Sequence, residues 1–196
     1  MSDIARLNDF GQSPWYDNLA RSLLTGGGLQ ALITNDGIRG VTSNPTIFEK
    51  AMAAGEGYDE QLAECGKEGL SIEDSYWRLV IEDVGHAADL LLPVHEASGG
   101  ADGFVSVEVS PDLAHDTTGT IAQAKSLFER LGRKNVMIKI PATIEGLPAG
   151  APSRGTRRAG SRTGPTTASR PLAPTRPPRR GALVPPHRDA PRSRSR

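Results

Sequence analysis

Apolar and polar residues follow two different periods along the first 149 residues of the chain. Four short apolar runs, each ended by a polar residue or a proline, predict β-strands at residues 14–17, 40–45, 104–109 and 136–140. Between them, apolar residues recur every three or four positions, as is typical of amphipathic helices. The predicted helical segments are residues 18–24, 29–34, parts of 46–70, a long helix capped by Ser71, and 120–131.

The order of these elements predicts the fold class. Strands that alternate with helices through short connections favour parallel pairing by right-handed crossovers. About four such units account for residues 1–149, which is half the number in a (β/α)8 barrel, and 196 residues are few for a complete one. We therefore expect an α/β fold, a partial (β/α)8 TIM barrel, followed by a separate tail.

The composition changes sharply near residue 150. Residues 150–196 contain twelve arginines and nine prolines but no aromatic residue, and their one acid is Asp189. Prolines at this density interrupt helices and strands, and too little apolar surface is available to offset chain entropy. The sequence thus predicts two parts: a globular body over residues 1–149 and a disordered basic tail over 150–196. The abrupt change suggests a shift of reading frame in a GC-rich gene.

The formal net charge of zero conceals a strong asymmetry. Twenty-two of the 23 acids but only 11 of the 23 Lys and Arg residues precede residue 150, so an acidic body is joined to a basic tail. A tail that binds nucleic acid or another acidic surface is one interpretation, since arginines make sequence-independent phosphate contacts. The tail has no aromatic residue to stack on bases, so no specific nucleic-acid partner is expected.

Several features predict a soluble, cytoplasmic protein. The N-terminal residues lack a basic segment followed by an apolar core, and no apolar run approaches the length that crosses a bilayer, so no membrane partner is expected. The single cysteine, Cys65, excludes an intramolecular disulfide and suits a reducing compartment. Its charged neighbours favour a position on a helix surface.

Four polar residues stand near the ends of the predicted strands: Asp17, Asn44, Glu108 and Lys139. In a parallel barrel this rim is where active sites are built, and the period of two turns Glu108 and Lys139 towards the barrel axis. Each residue also has an ordinary interpretation. Asp17 could cap the next helix, Asn44 could shape a turn, and Glu108 and Lys139 could form a simple ion pair.

Lys139 carries the most specific chemical hypothesis. An amine attacks a ketone carbonyl only in its neutral form. The apolar neighbours Met137, Ile138 and Ile140 are expected to exclude water and so to lower the pKa of the Lys139 amine. The pattern favours a nucleophilic lysine.

Three segments resemble the signatures of the transaldolase family, in the family's order. They are Val-Thr-Ser-Asn-Pro-Thr-Ile-Phe at 41–48, Val-Ser-Val-Glu-Val-Ser-Pro at 105–111 and Val-Met-Ile-Lys-Ile-Pro-Ala-Thr at 136–143, and Glu-Gly-Leu-Pro-Ala at 145–149 continues the pattern. The resemblance covers residues 1–149 nearly without a break. It implies a (β/α)8 barrel of the pentose phosphate pathway that uses no metal and no cofactor.

The resemblance also implies a substrate class and a role for each rim residue. Such enzymes move a dihydroxyacetone unit from sedoheptulose 7-phosphate to glyceraldehyde 3-phosphate. Lys139 would form the imine with the ketose, and Asp17 would be the acid/base at the hydroxyl that loses its proton during cleavage. Glu108 would act through a water on the carbinolamine, and Asn44 would hold a hydroxyl of the three-carbon unit.

Beyond residue 149 the chain departs from the family pattern. The four further strands of the family, with a threonine near the catalytic water and a serine–arginine phosphate site, have no match there. We therefore expect the 196-residue chain to be unstable or aggregated and inactive as it stands. A fructose 6-phosphate aldolase-like enzyme with the same lysine is an alternative, although the long segment between Asn44 and Glu108 favours a transaldolase. The oligomeric state is left open.

Overall fold

The computed structural model describes residues 2–55 and 57–150. The strands are β1 (Trp15–Tyr16), β2 (Gly40–Thr42), β3 (Phe104–Glu108) and β4 (Val136–Lys139). The α-helices are α1 (Arg21–Thr25), α2 (Gly28–Asp36), α3 (Pro45–Ala53), α4 (Asp59–Lys67), α5 (Ile72–Ala97), α6 (Thr117–Leu131) and α7 (Leu147–Gly150). Two 3-10 helices span Ala5–Phe10 and Pro111–Leu113. The predicted disordered tail, apart from Gly150, lies outside the described residues.

The four strands form one parallel sheet in the order β1-β2-β3-β4. Tyr16 lies opposite Val41, Val41 opposite Val105, and Val105 opposite Val136. Each strand therefore pairs with the next one along the chain, as repeated β/α units winding in one direction require. The predicted α/β class is confirmed, and the arrangement is consistent with part of a TIM-like barrel.

Side-chain caps determine where the longer helices begin. Ser71 Oγ accepts a hydrogen bond from the Asp74 amide at 3.0 Å, so α5 starts where the sequence predicts. Asp116 Oδ1 accepts from the Gly119 amide at 3.0 Å, and α6 consequently begins three residues before the predicted start at 120. The carboxylate at Asp116 supplies the cap that the apolar pattern alone does not reveal.

The core lies between one face of the sheet and helices α5 and α6. As the strand alternation predicts, the valines of β3 point into this core. Its buried members include Val41, Val105, Val107, Val136, Ile138, Val80, Val84, Ala87, Ala88, Leu91, Leu127 and Leu131. The opposite face of the sheet carries Thr42, Ser106 and Lys139, so the polar residues are separated from the core by the pleat.

Two side chains differ from the surroundings that their sequence context predicts. The helical spacing of apolar residues places Ile72 on the apolar face of α5, but its side chain is 92% exposed, because it is the first residue of that helix and lies beyond the packed region. Cys65 does lie on a helix, α4, but it is a buried free thiol and not a surface residue. Its burial follows from the packing of α4 against α5, a contact that local charge does not reveal.

No helix among the described residues is both long and apolar enough to cross a membrane.

Candidate active site

The polar rim residues converge at the carboxyl ends of the strands. Glu108 ends β3 and Lys139 ends β4, and the two are direct partners in the parallel register. Asp17 follows β1 immediately, whereas Asn44 lies two residues beyond β2. Asp17, Asn44 and Glu108 all line one open cleft of about 520 Å³. The remaining lining residues are Pro45, Thr46, Ile47, Lys50 and Pro111.

Lys139 does not itself line the described cleft, but it lies beside Glu108, which does. Its Nζ lies 3.4 Å from Glu108 Oε2. The same nitrogen donates to the main-chain oxygen of Ser43 at 2.7 Å and to Thr42 Oγ1 at 3.3 Å. The amine is therefore held by two acceptors on β2 and its extension, with the carboxylate of β3 beside it.

The surroundings of Lys139 correct the expectation of a dry amine. Its side chain is 31% exposed, and that of Glu108 is 28% exposed. The reason lies in the strand pleat, since Ile138, directly before Lys139, points to the opposite face, and among the strand residues before it only Met137 shares the face of Lys139. Ile138 is buried in the core on the helix side and does not shield the Lys139 amine. Apolar neighbours in sequence are thus a poor measure of desolvation for a residue in a strand.

Asp17 does not have the ordinary role of a helix cap. Helix α1 begins only at Arg21, after Ala20, and has no side-chain cap. The Asp17 side chain is exposed and has no hydrogen-bond or ion-pair partner within residues 2–55 and 57–150. A carboxylate that lines a cleft and stabilises no local structure is available to exchange a proton with a ligand.

Asn44 combines a structural contact with a place in the cleft. Its Oδ1 accepts from the Ile47 amide at 3.0 Å and so caps α3, which explains a polar residue directly before Pro45. The cap uses the carbonyl side of the amide. The Nδ2 group makes no hydrogen bond to any residue that the structure describes, which leaves it able to donate to a ligand hydroxyl.

Four residues that lie near Lys139 and Glu108 are not identified as site residues by the sequence pattern alone. Thr42 and Ser43 accept hydrogen bonds from the amine, and Ser106 is bonded to both of them. Alternation along β2 and β3 is the signal that places Thr42 and Ser106 on the face of Lys139. The helical spacing assigns Tyr76 only to the apolar face of α5. Burial, together with the negative charge of Glu108, raises the pKa of Tyr76 to about 12, so this phenol belongs to the electrostatic surroundings of the rim.

The chain has a parallel β/α sheet with a lysine–glutamate pair at the carboxyl ends of its strands, and residues from several strand ends line its polar cleft. These features define the class of protein as a part of a β/α barrel with its site at the strand ends. The profile of the Transaldolase/Fructose-6-phosphate aldolase family matches residues 14–151. The chain belongs to this family.

Several relatives extend the comparison. Transaldolase 1 of Streptomyces avermitilis is 50% identical over 149 residues, which are 76% of this chain and 39% of that protein. The transaldolase of Thermobifida fusca is 48% identical over 148 residues, covering 76% and 40% of the two chains. Transaldolase 2 of Nostoc punctiforme is 47% identical over 146 residues, covering 74% and 38%. The matched part of this chain therefore spans about two fifths of these relatives.

Proposed function

We propose that this chain carries the Schiff-base half of a transaldolase active site, with Lys139 as the nucleophile. The observation that carries the proposal is the position of the Lys139 amine, 3.4 Å from the carboxylate of Glu108, which lines a cleft together with Asp17 and Asn44. The proposed reaction moves a dihydroxyacetone unit from sedoheptulose 7-phosphate to glyceraldehyde 3-phosphate. The names of the relatives support this donor chemistry over other reactions of a lysine.

The first step forms the covalent intermediate. The Lys139 ammonium transfers a proton towards Glu108, and the free amine adds to the ketone carbonyl of the donor to give a carbinolamine. Glu108, acting through a water, then protonates the departing hydroxyl, which leaves as water and produces a protonated imine. The short distance between Glu108 and Lys139 supports this assignment, because one carboxylate can serve both proton transfers.

The second step breaks and remakes a carbon–carbon bond. Asp17 accepts the proton of the donor hydroxyl, and the electron pair of the breaking bond moves into the protonated imine, which releases erythrose 4-phosphate and leaves an enamine. The enamine adds to the aldehyde of glyceraldehyde 3-phosphate, and Asp17 returns the proton. Hydrolysis of the new imine then gives fructose 6-phosphate. The unpaired Asp17 carboxylate supports this acid/base role, and the free Nδ2 of Asn44 supports a hydrogen bond to a hydroxyl of the three-carbon unit.

A fructose 6-phosphate aldolase is the second candidate, because the matching family includes both activities. An aldolase releases free dihydroxyacetone, whereas a transaldolase passes the unit directly to an aldehyde acceptor. The relatives named above are transaldolases. The long segment with α3, α4 and α5 between Asn44 and Glu108 also supports a transaldolase over an aldolase. We also propose a cytoplasmic location, which the free thiol of Cys65 supports.

Complementation tests the proposed function. The chain is co-expressed with a fragment of the Streptomyces avermitilis relative that begins after its matched segment, and fructose 6-phosphate formation is measured. We expect activity with the wild-type chain and none with Lys139→Ala. Soluble, assembled fragments that form no fructose 6-phosphate would contradict the transaldolase proposal, and acceptor-independent release of dihydroxyacetone would favour the aldolase.

A further inference from the structure

Both hydrogen-bond acceptors of the Lys139 amine are held by one residue, Ser106. Its hydroxyl donates to Thr42 Oγ1 at 3.0 Å. Its main-chain oxygen accepts from the Ser43 amide at 3.2 Å and from Ser43 Oγ at 2.8 Å. Since Thr42 Oγ1 and the Ser43 carbonyl are the two groups to which Lys139 donates, the position of the amine depends on Ser106.

Ser106 is not part of the cleft surface. It is 3% exposed, Ser43 is fully buried, and neither lines the cleft. A buried hydroxyl keeps a fixed partner, because a donor left unpaired away from water costs free energy. Ser106 therefore does not contact the cleft contents directly, and its influence on a bound ketose would pass through Thr42, Ser43 and Lys139.

Three acceptor groups lie around Nζ, as many as an ammonium has N–H groups. Thr42 Oγ1 and the Ser43 carbonyl accept two of its N–H groups, and Glu108 lies 3.4 Å away as the acceptor for the third proton. When that proton leaves, the lone pair of the amine takes its place on the side of Glu108, a residue that lines the cleft. Fixing two N–H groups thus fixes where the lone pair points.

We propose that Ser106 is a positioning residue for imine formation at Lys139. It orients Thr42 through its side chain and Ser43 through its main chain, so that the lone pair of the neutral amine is directed into the cleft. The inference rests on the proposed function for its chemical consequence, but the orientation of Lys139 can be measured without any substrate.

The test uses the full 196-residue chain and three variants. Ser106→Ala removes the hydroxyl, Ser106→Thr keeps it, and Ser126→Ala is the control because Ser126 is exposed on α6. Each soluble protein is treated with dihydroxyacetone and cyanoborohydride, and adduct at Lys139 is quantified by peptide mass mapping. Loss of one net hydrogen bond predicts a fall in trapping of roughly threefold to tenfold in Ser106→Ala, with values close to wild type in Ser106→Thr and Ser126→Ala.

A second readout separates this inference from the proposed function. Trace acetylation reports the reactivity of Lys139 relative to Lys125, an exposed lysine of α6, in the same sample. If no variant forms an imine, the proposed function fails, but a Lys139/Lys125 ratio altered by Ser106→Ala and restored by Ser106→Thr still supports the positioning role. An unchanged ratio together with unchanged trapping overturns it.

A second variant tests the same proposal if Ser106→Ala does not fold. Should Ser106→Ala be insoluble, Thr42→Val replaces it, since valine has nearly the shape of threonine and lacks the hydroxyl that accepts from Ser106 and Lys139. The proposal predicts the same loss of trapping and the same altered acetylation ratio for Thr42→Val. A Thr42→Val chain that behaves as wild type in both measurements overturns the inference.

Discussion

The Lys139 amine and the Glu108 carboxylate lie 3.4 Å apart at the ends of neighbouring parallel strands. Their separation follows from the register, which makes them direct partners across β3 and β4. Both side chains are about 30% exposed, so solvent screens their attraction and the pair adds little to stability. A weakly held pair at a cleft is suited to proton exchange rather than to fixing the fold.

Replacing Glu108 tests whether its negative charge raises the pKa of Tyr76. The negative charge of Glu108 disfavours the phenolate of Tyr76, although burial is the larger cause of the raised pKa of that tyrosine. In Glu108→Gln the pKa of Tyr76 is expected to fall from about 12 while staying above the ordinary value of 10.0. Absorbance titration of the phenolate measures it, with Tyr76→Phe identifying the signal. The matched control is Glu129→Gln on the exposed face of α6, and equal shifts in the two variants would argue against this coupling.

Breaking the pair of Arg21 and the buried Asp83 is predicted to destabilise the fold strongly, because one charge is left without its partner. Arg21 Nε donates to Asp83 Oδ1 at 2.9 Å, and Tyr58 donates to Asp83 Oδ2 at 2.7 Å. Arg21→Met leaves a buried carboxylate without its cation, and the free energy of unfolding is expected to fall by about 3 kcal/mol. Denaturant unfolding of the soluble chain measures this change. The double variant Arg21→Met/Asp83→Leu has no unpaired charge and should lose less, so an equal or greater loss would contradict the explanation.

The same pair predicts a pH dependence. Burial raises the pKa of Asp83 above its ordinary value of 3.8 in the folded protein. A group whose folded pKa is raised stabilises the fold below the unfolded value, and this contribution is lost as the pH rises through the folded value. The charge of Arg21 lowers the pKa of Asp83, so its removal raises that pKa further. The loss of unfolding free energy in Arg21→Met, relative to wild type, should therefore be smaller near pH 3.8 than at about pH 7. A loss that grows on acidification would contradict this direction of the pH dependence.

Two glycines with similar backbone angles should differ sharply in their tolerance of alanine. Gly103, directly before β3, has φ +77°, and a Cβ there would lie 2.3 Å from the His95 backbone nitrogen. Gly99 has φ +65°, but a Cβ at that position would meet no described heavy atom within 4 Å. Both alanine variants bear the left-handed backbone cost of about 1 kcal/mol. Gly103→Ala should lose roughly 2 kcal/mol more in denaturant unfolding because of the steric conflict, and equal losses would contradict it.

The isolated chain is expected to turn over no sugar phosphate. Its matched part spans about two fifths of the transaldolase relatives, and Lys50 is the one cation that lines the described cleft. In an assay of fructose 6-phosphate formation, a rate comparable with that of a full-length relative would overturn this expectation.

The sequence predicts the strands and helices better than it predicts the contacts and solvent exposure of the site residues. All four strands and the order of the helices follow from apolar periodicity, and the strand-end rule brings Asp17, Asn44 and Glu108 to one cleft. The partners of Lys139 do not follow from local pattern, because Thr42 and Ser43 are 97 and 96 residues away and meet it only through the sheet. The expected dry amine is wrong for the same reason: solvent access depends on what covers the face of a strand.

The most direct test of Lys139 as the nucleophile is borohydride trapping with fructose 6-phosphate, followed by peptide mass mapping. Reduction of the imine fixes the sugar to the lysine that formed it, so the modified peptide identifies the nucleophile. We expect a single adduct at Lys139 and none in Lys139→Arg. An adduct at Lys50, Lys67, Lys125 or Lys134 with Lys139 unmodified would contradict it.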